Sequence, residues 1–121
     1  MEHAQFDFEK LEAYKLSLEF LDEIFDTCER LPRSLQSSLG DQLRRASLSI
    51  SNNIAEGSGK ISKKEKMRYY GTSLDSAREC ISMLNVLMRR KIINEQEFDK
   101  LRTTGRRITG MISGLINVLH P

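Results

Sequence analysis

From Met67 to Met88 an apolar or small side chain recurs in alternating steps of three and four without a miss: Met67, Tyr70, Leu74, Ala77, Ile81, Leu84 and Met88. A 3.5-residue period places all seven on one stripe of a helix, whereas a strand would throw them onto both faces. A stripe this long needs other helices to cover it, and a seven-residue repeat favours left-handed crossing. The chain supplies such partners. Leu11, Tyr14, Leu18, Leu21, Phe25 and Cys28 form one seam on a first helix, and Leu16, Phe20, Ile24 and Leu31 form a second row beside it. Two apolar rows exceed what one neighbour can cover, so that helix either meets two neighbours or leaves an edge for another subunit. Phe98, Leu101, Gly105, Ile108, Ile112, Leu115 and Leu119 make the row of a last helix. Nothing alternates with period two, so no sheet is expected.

Helix boundaries follow from local chemistry. Pro32 cannot continue the first helix, and Ser34, Ser37 or Ser38 can cap the second. Gly57 can adopt a left-handed conformation and stop it. Ser62 and Glu65 fit a capping box for the third helix, and Arg89, Arg90 and Lys91 suit the negative end of its dipole. Asn94 and Glu97 form a second N-cap pair. The expected helices cover residues 9–31, 38–56, 63–90 and 95–119 of a single domain, 1–121. Short connections then give an all-α, up-down-up-down antiparallel four-helix bundle, left-handed. Gly105, Gly110 and Gly114 each cost about 1 kcal/mol relative to alanine inside a helix, which points to close helix approach.

The second helix is unusual. Leu39, Leu43, Ala46, Ile50 and Ile54 fall in one arc, and beside them Gln42, Arg45, Ser49, Asn52 and Glu56 form a row of donors and acceptors. Its far side, Arg44, Leu48, Ser51 and Ala55, is mostly small or apolar where a solvent-facing helix is normally charged. These patterns predict a helix contacted on more than one side, its polar row saturated by neighbouring helices or chains.

Charge is unevenly distributed. Met1 to Leu31 carries nine acidic and three basic side chains, while the remainder carries sixteen basic and eight acidic. Either the acidic helix neutralises basic neighbours within the bundle, or the two signs serve an intermolecular surface. Lys60, Lys63, Lys64, Lys66 and Arg68 cluster around a single anion, Glu65, and with Arg44 on the second helix they are the candidate nucleic-acid contacts. Further cations come from Arg89, Arg90, Lys91, Lys100, Arg102, Arg106 and Arg107.

Sites for chemistry are sparse. No apolar run approaches the roughly 20 residues of a membrane span, and the acidic start lacks the apolar core of a secretory signal, so a cytoplasmic location is expected. Cys28 and Cys80 read as reduced core thiols. His3 and His120 lack the Glu-x-x-His spacing of a bundle metal site, the residue three before His120 being Asn117. Gly59-Lys60 matches only the tail of a phosphate loop, with Ile54 where its first glycine belongs. No serine or cysteine has a histidine placed to activate it.

Gln42-Leu43-Arg44-Arg45-Ala46, Ser49-Ile50, Asn53-Ile54-Ala55-Glu56-Gly57 and Ser62 resemble the four-helix-bundle family of proteins encoded within intervening sequences of 23S ribosomal RNA genes. Phe8 to Tyr14, Leu31-Pro32 and Ser76-Ala77-Arg78-Glu79-Cys80 also match, so the resemblance spans nearly the whole chain. That family is similar to the accessory variability determinant of diversity-generating retroelements, a basic bundle that assembles as a ring of five and binds a reverse transcriptase and nucleic acid. The resemblance therefore implies a homopentamer. The matching Arg45, Asn53, Glu56 and Glu79 would serve with Gln42 and Ser49 as a buried polar network or subunit interface, or alternatively as a ligand site.

The expectation is a noncatalytic, homo-oligomeric scaffold that binds RNA or a nucleic-acid-handling protein, with no cofactor, no metal and no membrane partner. The alternatives are a purely structural bundle and a small helical ribonuclease. The latter usually needs an arginine four to six residues before a histidine, and no such pair occurs.

Overall fold

Helix α1 spans Glu12–Glu29, α2 Asp41–Ser58, α3 Lys63–Arg89 and α4 Glu95–Asn117, with a 3-10 turn at Asp7–Lys10 ahead of α1. These assignments come from a computed structural model that describes residues 4–120. Among the described residues there is no strand. Helix α1 packs on α2 and α4, and α3 packs on the same two, so α1 and α3 occupy opposite corners. One core cluster draws on all four helices, with Phe20, Ile24, Leu43, Ile50, Leu84 and Ile108 at its dry centre.

The row of α1 that enters this core is Leu16, Phe20, Ile24 and Leu31, joined by Ala13 and Cys28. The seam through Tyr14, Leu18, Leu21 and Phe25 sits at the rim instead, and Leu18 is 39% exposed. Similarly, the buried stripe of α3 runs through Tyr70, Ser73, Ala77, Cys80, Leu84 and Leu87, leaving Leu74, Ile81 and Met88 half-buried. The heptad rows place the helices correctly, but facing α2 and α4 together turns each one slightly from the arc its pattern favours.

The second helix begins differently from the expectation. A one-turn helix at Arg33–Leu35 leads into a widened π-helical turn at Gln36–Gly40 that runs directly into α2. None of Ser34, Ser37 and Ser38 caps it by side chain. Gln36 organises this junction. Its amide donates to the carbonyls of Cys28 (2.7 Å), which also accepts from the Leu31 amide, and of Leu31 (2.9 Å), just past α1, and its Oε1 accepts from Arg44 Nη2 at 2.7 Å. Arg44 Nη1 also reaches Asp41 Oδ1 (3.0 Å) and the Gln36 carbonyl (3.3 Å).

Gly57 does not terminate α2 in a left-handed conformation: the helix continues to Ser58, and no described glycine has positive φ. A Cβ at Gly57 would lie 2.7 Å from Tyr70 Cε1 and 3.1 Å from Tyr69 Cβ, so this glycine lets α3 approach α2 closely. Gly105 has the same role toward Ile81, at 2.5 Å from its Cδ1, whereas Gly110 and Gly114 have nothing within 4 Å and so mark no close approach within the chain. Side-chain N-caps form at Ser62, whose hydroxyl accepts from the Glu65 amide at 3.1 Å as one half of the expected box, and at Asn94, which accepts from the Glu97 amide at 2.8 Å. Just past the end of α3, Lys91 takes the left-handed conformation (φ 60°) while the Ile92 amide bonds back to the Leu87 carbonyl.

Candidate functional site

Two groups of residues stand out in the sequence, and the structure treats them differently. The first is the basic segment at the α2–α3 connection. Gly59 to Ser62 is short, so the C-terminal end of α2 and the N-terminal end of α3 lie together. Several cations at a helix start oppose its dipole. Lys66 offsets this by turning back, its Nζ 2.8 Å from the Ser58 carbonyl and 3.4 Å from that of Gly57, where the end of α2 is negative. Arg44 is likewise engaged, at the Gln36 junction, far along α2 from this end. Lys66 and Arg44 therefore hold the fold rather than present charge. Lys60 lies 3.8 Å from Glu56 Oε2 and 5.0 Å from the centre of the Tyr69 ring, while Arg68 stands 4.6 Å from that ring. Lys63 and Lys64 are exposed and form no ion pair among the described residues.

Aromatic groups join these cations from a distant part of the chain. Phe6 and Phe8 stack at 5.8 Å, and with Ala55, Gly59 and Lys60 they line a hollow of about 460 Å³. Phe6 is 70% exposed, and Ile61, in the connection itself, is 100% exposed. Sequence reasoning finds the cations but no stacking partner. The missing signal is topological: Phe6 and Lys60 become neighbours only because α1 starts where α2 ends.

The second group is the polar row of α2 with Glu79 of α3, and within the single chain it does not form one buried network. Gln42, Arg45, Glu56 and Glu79 are exposed in the single chain. Only Ser49 and Asn53 are half-buried and joined: Asn53 Nδ2 donates to the Ser49 carbonyl (2.8 Å) and Oγ (3.0 Å), and Ser49 Oγ meets Ser76 Oγ at 2.8 Å. The polar groups that are buried lie one position over, as hydroxyls. Ser47 and Ser51 donate to carbonyls one turn back on α2 (2.9 and 3.0 Å), and Ser73 donates across to the Ile50 carbonyl at 2.8 Å. The reason is chemical: a serine hydroxyl is satisfied by one nearby carbonyl, on its own helix for Ser47 and Ser51 and on the neighbouring one for Ser73, whereas a buried arginine or glutamate needs a partner that one chain does not supply here.

Elsewhere the ionisable groups are structural. Glu97 accepts from Thr27 Oγ1 at 2.9 Å and from Arg30, tying α4 to the end of α1. Burial raises the Glu23 carboxyl, with Lys100 opposing and Glu19 adding, and its Oε2 is buried without a hydrogen bond. Burial also raises the Cys28 thiol and pushes that of Cys80 up to about 12, so neither is a ready nucleophile. Among the described residues no three His, Cys, Asp or Glu side chains gather as a ligand set, and no helix is long and apolar enough to cross a membrane. His120 is exposed near the end of the chain, and His3 lies outside the described residues.

Comparison with known proteins adds to this geometry. The family model described as 23S rRNA-intervening sequence protein matches residues 9–114. Among solved structures, the chain is similar to a protein with unknown function from the S23 ribosomal protein family of Bacteroides thetaiotaomicron. The two share 22% identity over 87% of this chain and 95% of that one, with a TM-score of 0.80. At that identity the likeness shows the fold alone. No curated protein matches the chain.

Proposed function

The chain belongs to the family of 23S rRNA-intervening sequence proteins, and from that premise we propose that it is a noncatalytic, self-assembling helical scaffold that binds RNA at the α2–α3 end of its bundle. The observation that carries this reading is the meeting of exposed Lys63 and Lys64, the Lys60–Tyr69–Arg68 stack and the Phe6–Phe8 pair at one end of the molecule. Cations that follow a phosphate backbone beside rings that stack on bases are what single-stranded nucleic acid requires, with little demand on sequence. A nucleic-acid-handling protein would be held by the same end. The short connections support an up-down-up-down antiparallel order with left-handed crossing, and the family resemblance makes a ring of five the expected assembly, in the cytoplasm. The absence of a role in catalysis is supported by the raised thiols and by the lack of any nucleophile–base pair among the described residues.

A labelled single-stranded RNA titrated at several salt concentrations tests the reading. Affinity should fall steeply with salt, and Lys63→Glu with Lys64→Glu should weaken binding and lower the salt slope by about 1 for each phosphate no longer neutralised. Arg44→Ala, on a residue committed to the Gln36 junction, should leave the slope unchanged. No binding at about 50 mM salt, where such interactions are strong, would end the RNA reading.

A further inference from the structure

Two flanks of the bundle lack partners within the chain. On the α3–α4 side, Arg78, Arg102 and Arg106 stand around a groove of about 490 Å³ whose apolar part is Leu74 and Ile81. No carboxylate lines it, and none of the ion pairs among the described residues engages these arginines. Arg102 makes a long contact, 3.5 Å, with Asn85 Oδ1 and lies 6.0 Å from the centre of the Phe98 ring.

The α1–α2 side is its chemical counterpart. Phe8 packs edge-on against Tyr14 at 5.0 Å and shares its hollow with Ala55, so Tyr14 of α1 and Ala55 of α2 both lie beside this ring. Two turns along, on the same faces, come Leu21 and Leu48, and Leu48 is 46% exposed. Beside this apolar strip, on the outer face of α1, Glu19, Asp22, Asp26 and Glu29 are exposed and enter no ion pair among the described residues. Because α1 and α3 sit at opposite corners, the two flanks face away from each other and no single chain can join them.

We propose that the acid-edged apolar α1–α2 flank of one copy docks on the arginine-lined α3–α4 groove of the next. The proposal rests on the self-assembly reading above and adds which surfaces meet. Both carry apolar side chains with charge at the border, and the charges are opposite, which selects partner and register. A joint between two different surfaces is heterologous: every copy offers one of each, so copies add head to tail, closing as a ring where the rotation per copy allows it and growing as an open filament where it does not. The exposure of Leu48 and the uneven charge along the sequence then have one common cause.

The test is complementation by charge reversal, read by light scattering on size-fractionated protein, with circular dichroism confirming helix content. One variant carries Asp22→Lys and Asp26→Lys, the other Arg102→Glu and Arg106→Glu, all near the rim of their surfaces. The unaltered chain should be assembled, each variant alone should be monomeric, and their equimolar mixture should assemble again as alternating copies in even numbers, since an alternating ring of five cannot close, which also shows that both fold. Leu48→Arg, a single exposed change, should lower the mass independently. A variant that keeps the mass of the unaltered chain, or a mixture that stays monomeric, overturns the joint while leaving self-assembly by another surface standing. A monomeric unaltered chain overturns both. If the groove variant keeps its mass but loses affinity for single-stranded RNA, the groove belongs to nucleic acid and the proposal is wrong.

Discussion

Replacing Gly57 with alanine probes the closest approach of α2 and α3. The added Cβ would lie 2.7 and 2.8 Å from two ring atoms of Tyr70 and 3.1 Å from Tyr69 Cβ, roughly 1 Å inside normal carbon separation. Tyr70 is 5% exposed and cannot swing away, so α2 and α3 must separate or the ring must leave its rotamer. Overpacking of this kind costs about 1–3 kcal/mol, against which alanine returns up to about 1 kcal/mol of helix propensity. The net loss is about 1–2 kcal/mol. Gly71, inside α3 with nothing within 4 Å of its added Cβ, is the matched control and should gain about 0.5–1 kcal/mol as alanine. For a domain of this size 1 kcal/mol corresponds to about 4 °C in melting temperature. Thermal melts by circular dichroism at one fixed protomer concentration should therefore move in opposite directions, down by about 4–8 °C for Gly57→Ala and up by about 2–4 °C for Gly71→Ala. Equal shifts of the same sign would refute the packing argument.

Gln36→Ala removes the side-chain donor to the Leu31 carbonyl, one of the donors to that of Cys28 and one of the acceptors of Arg44, and should cost about 1–3 kcal/mol in urea denaturation. Glu23→Gln tests the buried carboxyl. Because the folded state holds this proton to higher pH than the unfolded chain, stability declines as pH rises from about 4 through the folded pKa and stays reduced above it. The substitution should thus raise the melting temperature near neutrality and change it little below about pH 4; a lower melting temperature at neutral pH would contradict the assignment.

Much of the architecture is legible in the residues because helix periodicity and capping are local. Ser62, Asn94 and Pro32 mark boundaries within a few residues, and the rows of α3 and α4 identify helices whatever they pack against. Which of two rows turns inward is not local. Tyr14, Leu18 and Leu21 are as apolar as Leu16, Phe20 and Ile24, and only the positions of α2 and α4 decide between them. Gly57 shows the same limit, since a glycine near a helix end fits both a stop and a close approach, and the deciding atom belongs to Tyr70. The polar row of α2 suggests a buried network by its charge and amide groups, while the groups that the core of one chain encloses are short hydroxyls, Ser47, Ser51 and Ser73, each satisfied by a single carbonyl. The aromatic side of the basic end is separated from it by more than a helix pair of sequence.

The hydroxyl of Ser73, reaching the Ile50 carbonyl, has a bearing on how the rods stay aligned. Greasy faces resist being pulled apart, yet they offer little opposition to sliding, since one leucine can replace another a turn away. A single directional bond between a side chain and a neighbouring backbone acts as a pin against that slip. The lengthwise stagger of α2 and α3, and with it the placement of the cations in the intervening bend, is thereby held by this enclosed pin together with the hydroxyl pair Ser49–Ser76.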